Sequence, residues 1–116
     1  MRIDNFRFGS IRIDGRDYDY DVVIQGSAVA KRKKKASKPY RDDFGHTPLS
    51  VEEAIPWKCR RLVIGTGAEG RLPVMTEVES EANRRGVELV VAKTDKAIRI
   101  LNRKSKATNA IIHVTC

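Results

Sequence analysis

The sequence contains no long apolar run. No stretch approaches the roughly 18–20 consecutive apolar residues that a membrane-spanning helix requires. Residues 1–8 are charged and lack the apolar centre of a signal peptide. We therefore expect a soluble protein of the cytoplasm that has no membrane partner.

Cysteine and histidine are both scarce, with two residues of each. Cys59 and Cys116 form no C-x-x-C pair, and His46 and His113 are far apart in the sequence. Because a zinc site needs three or four ligands at recognisable spacing, we predict no metal and no other cofactor. Each cysteine flanks or ends a predicted strand, so a disulfide between Cys59 and Cys116 is one alternative. Two reduced thiols are the favoured interpretation for a cytosolic chain.

Glutamine occurs once, at Gln25, whereas 33% of the residues are charged. That share exceeds the average of about 25% in globular proteins. Scarce glutamine with abundant lysine, arginine and glutamate indicates a heat-adapted source. The 41% of hydrophobic residues support a packed core, and 116 residues suffice for one domain but not for two.

The basic residues are concentrated in one segment. The net charge is +8, and residues 31–41 hold seven basic side chains and no acidic one. The other 16 basic residues are nearly balanced by the 15 acidic ones. The candidate contacts to a polyanion in this segment are Lys31, Arg32, Lys33, Lys34, Lys35 and Lys38.

We expect residues 31–45 to form a basic loop with one of two roles. Lysines without neighbouring acids can displace counterions from phosphate backbones, so a nucleic acid is one candidate partner. Binding of single strands normally also requires stacking aromatics, and only Tyr40 and Phe44 are nearby. A solvated charged loop explains the same residues without any partner.

The first half of the chain is typical of short strands and turns. Asp14–Gly15 predicts a hairpin between a strand at 11–13 and a return strand at 18–24. Gly26–Ser27 predicts a second turn, followed by a third strand at 28–32.

Residues 35–48 show no periodicity and are predicted to be a loop. Ser50 and Glu53 match a capping box, in which each side chain bonds the other residue's backbone N–H. This pattern predicts a short helix that ends before Pro56, because proline interrupts helices.

The second half alternates strands and helices. Thr76 and Thr94 are predicted to cap the two helices, and Gly86 to end the first of them. The predicted elements are a strand at 61–64, a helix at 76–85, a strand at 87–92, a helix from 94 and a strand at 110–114. Apolar strands separated by amphipathic helices indicate parallel pairing. We predict one layered α/β domain, 1–116, with a mixed, mostly parallel central sheet and an N-terminal antiparallel hairpin layer.

The segment from Leu62 to Gly70 reads L-V-I-G-T-G-A-E-G and contains the pattern G-x-G-x-x-G. In dinucleotide-binding folds this pattern leads directly into a helix, and an acid ends the next strand. Here Pro73 precedes the helix, and the next strand ends at Lys93. Two other interpretations remain: a tight turn after a central strand, or a site where the N–H groups of Gly65–Gly67 hold a small anion.

The order of several segments resembles the Mth nine-three-eight-like domain family. The matching segments are Phe8–Gly15, Tyr20–Ile24, His46 before a short helix, Leu62–Gly67, Thr94 with Ala97 and Asn102, and His113–Cys116. The family includes an adipogenesis-associated mammalian protein and a mitochondrial complex I assembly factor. The resemblance implies a layered α/β fold with a central mixed sheet and a β-rich edge. It implies no enzyme activity, and the Lys31–Lys35 run is not part of its pattern.

Three functions are compatible with these observations. The first is a non-enzymatic interaction or assembly module that has a protein partner and a small-ligand or anion site at the carboxyl edge of the sheet. The residues expected at that site are Gly65, Thr66, Gly67, Gly70, His46, Thr94 and Asn102. The second is polyanion binding through residues 31–41, and the third is a small enzyme that uses His46 near the glycine loop.

Two of the polar residues have simpler explanations. Asn102 is a poor helix former in mid-helix, and we expect it to tie the last helix to the carboxyl edge of the sheet. His113 alternates with apolar neighbours and is predicted to be a half-buried structural residue.

Overall fold

The computed structural model describes all residues from 1 to 116, and its first strands form a separate antiparallel sheet. The order of this sheet is β1 (Ile3–Arg7), β2 (Ser10–Ile13) and β3 (Arg16–Tyr18). The predicted turn joins β2 to β3, with φ values of 50° at Asp14 and 81° at Gly15. Both values are positive, as a two-residue hairpin turn requires, so this prediction is confirmed.

The predicted return strand at 18–24 is wrong, because the chain leaves one sheet and enters another within it. β3 ends at Tyr18, and β4 (Val22–Gln25) belongs to the second sheet. Between them, the side chain of Asp21 accepts a hydrogen bond from the backbone N–H of Val114. The strand alternation continues through this step, which is why the sequence does not reveal it.

The second sheet has five strands in the order β5-β4-β8-β6-β7. The new strands are β5 (Ala28–Lys31), β6 (Arg61–Thr66), β7 (Glu88–Ala92) and β8 (Thr108–His113). β6 pairs in parallel with both β7 and β8, whereas β4 pairs antiparallel with β5 and β8. The prediction of a mixed central sheet with an antiparallel N-terminal layer is confirmed, and parallel pairing is confined to the strands of the second half.

Residues 35–48 are more regular than predicted. Lys35–Tyr40 form a 3-10 helix, and α1 (Arg41–Phe44) follows it directly. The helix predicted after Ser50 is absent, and residues 51–53 form a turn. Glu53 does not return to Ser50, because its carboxylate binds Arg32.

The two longer helices are α2 (Thr76–Arg85) and α3 (Thr94–Arg103). Neither threonine is a cap, since Met75 and Lys93 occupy the cap positions without a side-chain bond. Gly86 ends α2 as predicted, with φ of 69° and its N–H bonded to carbonyls of the last turn. No helix of the chain has both the length and the apolar character needed to cross a bilayer.

The five-stranded sheet carries a core on each face. On one face, Leu62 and Ile64 of β6 pack with Val78 of α2. On the other face, Val63 packs with α3, including Leu101. The isoleucines of the three-stranded sheet belong to the same cluster as α3, so this helix lies between the two sheets.

Candidate functional site

The glycine loop follows β6 at the carboxyl edge of the parallel strands. The N–H of Gly67 donates to Thr94 Oγ1 at 2.8 Å, and the N–H of Ala68 donates to the carbonyl of Thr115 at 2.7 Å. The N–H of Gly70 donates to the carbonyl of Gly67, and Gly65 lies inside β6 between two neighbouring strands. The expectation that the N–H groups of Gly65–Gly67 hold an anion is therefore corrected, because strand pairing and acceptors on Thr94 and Thr115 already occupy these donors.

The glycines permit close packing instead. A Cβ at Gly65 would lie 2.9 Å from Thr94 Oγ1 and 3.3 Å from Ala97 Cβ. Gly67 has φ of 104°, and a Cβ there would lie 2.5 Å from the main-chain carbon of Cys116. The pattern thus reflects the approach of α3 and the last residues to β6.

The two threonines of this edge join neighbouring elements. Thr94 donates its hydroxyl to the carbonyl of His113 at 2.7 Å while it accepts from Gly67. Thr66 donates to the carbonyl of Ala92 at 3.0 Å. Both hydroxyls bond to backbone groups of the edge, so they position the surrounding loops.

Asn102 lies at the other end of α3 from the carboxyl edge. Its Oδ1 accepts from the N–H of Ile3 at 2.9 Å, and its Nδ2 donates to the carbonyl of Ile3 at 2.8 Å. The expected tie to the carboxyl edge is wrong, since Asn102 ties α3 to β1.

The basic segment does not form one exposed stripe. Arg32 is buried, with 1% of its side chain exposed. Both oxygens of Glu53 accept from it at 2.8 Å, and Asp21 accepts at 2.9 Å. Arg32 is therefore not a polyanion contact, which corrects the prediction. Lys31 places its ammonium 5.2 Å from the centre of the Tyr20 ring.

This buried pairing also fixes the protonation of the groups involved. Burial opposes the charge on Arg32, but the bonds and charges of Glu53 and Asp21 outweigh it and raise the pKa of Arg32. Burial likewise opposes the charge on Asp21. The bond and charge of His113, the N–H of Val114 and the charge of Arg32 outweigh it, and the pKa of Asp21 is lowered.

Hydroxyl groups extend the pairing to the 3-10 helix. Ser37, which is fully buried, donates to Glu53 and shares a 2.6 Å bond with the hydroxyl of Ser50. The helix is thereby held against residues that follow it in the chain. Lys34, at the position before the helix, and Lys38 within it line a cavity.

The cavity has a volume of about 370 Å³ and opens at the carboxyl edge of the sheet. Its wall brings four residues of the basic segment together with three basic side chains from outside it: Arg32, Lys34, Lys38 and Arg41 with His46, Arg71 and His113. No acidic side chain lines it. Arg32 is paired with Asp21 and Glu53, and Arg71 is 3.1 Å from Glu69 in an ion pair whose partners are both largely exposed. Lys34, Lys38 and Arg41 form no ion pair. We call this the cationic cavity.

Both ring nitrogens of His113 have hydrogen-bond partners. Its Nδ1 lies 2.8 Å from Asp21 Oδ2, and its Nε2 lies 3.1 Å from Thr115 Oγ1. Both His113 and Thr115 line the cationic cavity. The alternation of polar and apolar residues along β8 predicted only that the His113 ring is half-buried. No local pattern linked His113 to Asp21, which lies 92 positions earlier in the chain.

His46 lies in the same cavity wall, as an exposed residue between α1 and the turn at 51–53. No serine, threonine or cysteine side chain is hydrogen-bonded to its ring. The cavity wall thus holds His46 together with Arg71, at the end of the glycine loop, and with the hydroxyl of Thr115 and the thiol of Cys116.

The two cysteines are free thiols. Cys59 precedes β6 and donates to the carbonyl of Pro56, whereas Cys116 lies against Gly67 beyond the other end of β6. A disulfide requires Cα atoms about 4.4–6.8 Å apart. The two cysteines lie beyond opposite ends of β6, and a six-residue strand is much longer than that distance. The structure therefore excludes a disulfide between Cys59 and Cys116, which the sequence had left as an alternative. No group of three or more histidine, cysteine, aspartate or glutamate side chains is arranged to hold a metal ion.

Comparison with known proteins identifies relatives without an assigned activity. The chain matches the family model described as a protein of unknown function (DUF498/DUF598) over residues 3–112. It is similar to the conserved hypothetical protein PH1505 from Pyrococcus horikoshii OT3, with 30% identity, full coverage of both chains and a TM-score of 0.84. A search of curated proteins gave no match.

Two further structures share the fold. The protein MT938 is 26% identical over 99% of this chain and 98% of its own, with a TM-score of 0.74. A Mth938-like domain protein from Bordetella pertussis is 16% identical over 97% of this chain and 85% of its own, with a TM-score of 0.62. The resemblance found in the sequence is confirmed, and this chain belongs to the DUF498/DUF598 family of Mth938-like domains, whose function is unknown.

Proposed function

We propose that this chain is a non-enzymatic binding module whose cationic cavity holds an oxyanion. One observation carries the proposal: besides the buried and paired Arg32, four lysine and arginine side chains line a cavity that no acidic side chain lines. Lys34, Lys38 and Arg41 have no ion-pair partner, so their charges remain available to a ligand.

The scaffold is built to keep these charges near one another. Like charges repel, and their exposed ends would separate if the segment were a free loop. The buried bonds from Ser37 and Arg32 to Glu53 hold the 3-10 helix in place instead. A site prepared in this way loses little conformational entropy when an anion binds.

The size of the cavity limits the ligand. Its volume of about 370 Å³ is at the lower end of the range of about 300–1,000 Å³ for small-molecule sites. It fits a phosphate or carboxylate group with a small organic body. An acidic side chain of a partner protein offers the same chemistry and the same charge.

Polyanion binding through residues 31–41 is the alternative function. A long polyanion would also use Lys33 and Lys35, which are exposed but do not line the cavity. The two functions therefore differ in which lysines they require.

The test compares two double variants of equal charge, with sulfate binding measured by isothermal titration calorimetry at about 0.15 M ionic strength, where the Debye length is about 8 Å. We expect Lys34→Gln with Lys38→Gln to weaken binding at least tenfold, because each charge-assisted hydrogen bond contributes about 1.5–3 kcal/mol. The control, Lys33→Gln with Lys35→Gln, should change the sulfate dissociation constant less than threefold. These two lysines do not line the cavity, and salt in the solvent screens their charges from a ligand bound there.

The outcomes separate the functions. Equal weakening by both variants would favour the polyanion alternative. Absence of sulfate binding to the unmodified chain would refute the proposal. An acidic peptide that competes with sulfate in the unmodified chain, but not in the Lys34 and Lys38 variant, would identify a partner protein as the source of the ligand.

A further inference from the structure

His113 lies between a buried carboxylate and the cationic cavity. Asp21, with 9% of its side chain exposed, accepts bonds from Val114 N–H and Arg32 Nη1, both at 2.9 Å, and contacts His113 Nδ1 at 2.8 Å. A carboxylate can only accept, so Nδ1 must carry a hydrogen. The second nitrogen, Nε2, is left facing Thr115 and the cavity.

The protonation state of Nε2 decides what Thr115 can do. In the neutral ring, the lone pair of Nε2 accepts the hydroxyl hydrogen of Thr115 across 3.1 Å. When Nε2 gains a proton, it becomes the donor, and the oxygen of Thr115 becomes the acceptor. The hydroxyl hydrogen of Thr115 is then free to point at a ligand in the cavity.

Charged groups on every neighbouring element act on this proton. The negative charge of Asp21 favours a proton on Nε2 of His113, and the positive charge of Arg32, which is bonded to Asp21, opposes that proton. The cavity wall contributes the charges of Lys34, Lys38, Arg41 and Arg71, together with the titratable ring of His46. These cations oppose a further positive charge in the empty cavity, whereas a bound dianion would favour it.

We propose that the cavity binds a dianion together with one proton, which His113 takes up on Nε2 as the ligand enters. This inference rests on the proposed function and adds the ligand class, a phosphate-like or sulfate-like dianion. Asp21 positions the ring and compensates its charge, and Thr115 gains a donor for the ligand. Because linkage is reciprocal, dianion affinity must rise as the pH falls.

Sulfate is the appropriate probe, because it remains a dianion over the range of roughly pH 5–8 in which imidazole groups titrate. Calorimetry of the unmodified chain in buffers of different ionisation enthalpy should show uptake of up to one proton per sulfate. Affinity should fall by as much as about tenfold per pH unit on the alkaline side, as a one-proton linkage requires.

The two histidines of the cavity provide matched variants. His113→Gln should remove most of the proton uptake and most of the pH dependence of sulfate binding. His46→Gln also changes the cavity wall, so the affinity at a single pH is not its readout; proton uptake and the rise in sulfate affinity toward low pH should persist. Thr115→Val should keep proton uptake but weaken sulfate binding by about tenfold or less, the value of one hydrogen bond.

A second measurement uses only the unmodified chain, in case a substitution at His113 prevents folding. The ring nitrogens of His113, followed by nitrogen-15 NMR, should show a hydrogen on Nδ1 alone without sulfate and on both nitrogens with saturating sulfate. A ring that keeps its free state at saturation would overturn the inference.

Failure of this inference differs from failure of the proposed function. Sulfate binding that depends on Lys34 and Lys38 but involves no proton uptake would overturn the inference alone. Proton uptake that disappears in His46→Gln and persists in His113→Gln would also overturn it. No sulfate binding at any pH would overturn both.

Discussion

At the scale of single residues, the glycines of the loop after β6 serve packing, although their spacing resembles a phosphate-binding pattern. Gly65 makes room for the hydroxyl of Thr94, and Gly67 combines a positive φ with close contact to the last residues. Close approach of two backbone segments depends on tertiary packing. The sequence therefore showed that these glycines end a strand, but not what they accommodate.

We expect Gly67→Ala to lower the free energy of unfolding by about 3 kcal/mol or more, because it adds backbone strain to a steric overlap. A Cβ at this position would lie 2.5 Å from the backbone carbon of Cys116. The control is Gly86→Ala, where φ is also positive at 69° but no atom lies within 4 Å. That substitution should cost only about 1–2 kcal/mol in urea unfolding. Equal losses would contradict the steric argument.

At the scale of secondary-structure elements, α3 is the link between the two sheets. Its inner face packs against β6, and Asn102 bonds both backbone groups of Ile3 in β1. β1 is a strand that the sequence did not predict. Its position is specified by these distant contacts, since residues 3–7 have no clear alternation of their own.

We expect Asn102→Ala to reduce stability by about 1–3 kcal/mol, because it leaves a part-buried N–H and carbonyl of Ile3 without a partner. Hydrogen exchange should show faster opening of the Ile3 amide than of amides in β6. Asn83→Ala on α2 is the matched control, since Asn83 is exposed and its side chain forms no hydrogen bond. A stability loss of the same size in the control would argue against the role of Asn102.

Elements with local signals were predictable, and elements specified by distant partners were not. Asp14–Gly15 and Gly86 define turns by their own backbone preferences, and the structure confirms both. Ser50 matches a capping box, yet its hydroxyl bonds Ser37 and its expected partner Glu53 binds Arg32. The buried pairing of Arg32 spans 21 residues, so no local pattern distinguishes it from its exposed lysine neighbours.

At the scale of the whole molecule, the buried charges around Asp21 join distant parts of the chain. Asp21 precedes β4, Arg32 follows β5, Glu53 lies after the 3-10 helix, and His113 ends β8. Their mutual bonds hold the wall of the cationic cavity. The composition indicated a strongly basic segment, but only the fold shows that part of its charge is neutralised internally.

The lowered pKa of Asp21 links this network to acid stability. A depressed folded pKa contributes stability that is fully present above the unfolded value of about 3.9 and is lost as pH falls through the folded value. We expect Asp21→Asn to cost about 3–5 kcal/mol near neutral pH, because it leaves the buried charge of Arg32 partly uncompensated and weakens the bond to His113 Nδ1. The difference from the unmodified chain should shrink below about pH 4.

Urea unfolding across this pH range provides the measurement. Asp17→Asn serves as the control, because the pKa of Asp17 is also lowered, by an exposed pair with Arg12. Exposed pairs contribute little to stability, so this variant should follow the unmodified chain closely. The linkage would be contradicted if the free energies of unfolding of Asp21→Asn and the unmodified chain differed by the same amount at neutral and at acidic pH.

The pairing of β4 with β8 has a consequence for how the protein is made. Val22 of β4 pairs with Ile112 of β8. β4 therefore gains this neighbour in the sheet only after β8, which lies about 90 residues later in the chain, has been synthesised. While the ribosome is still translating the middle of the chain, β4 and β5 can form at most an isolated hairpin, which is marginally stable in water. Asp21 meets His113 at the same late step. A nascent chain that has not yet supplied β8 and the residues after it therefore lacks His113 and Thr115, and with them part of the wall of the cationic cavity.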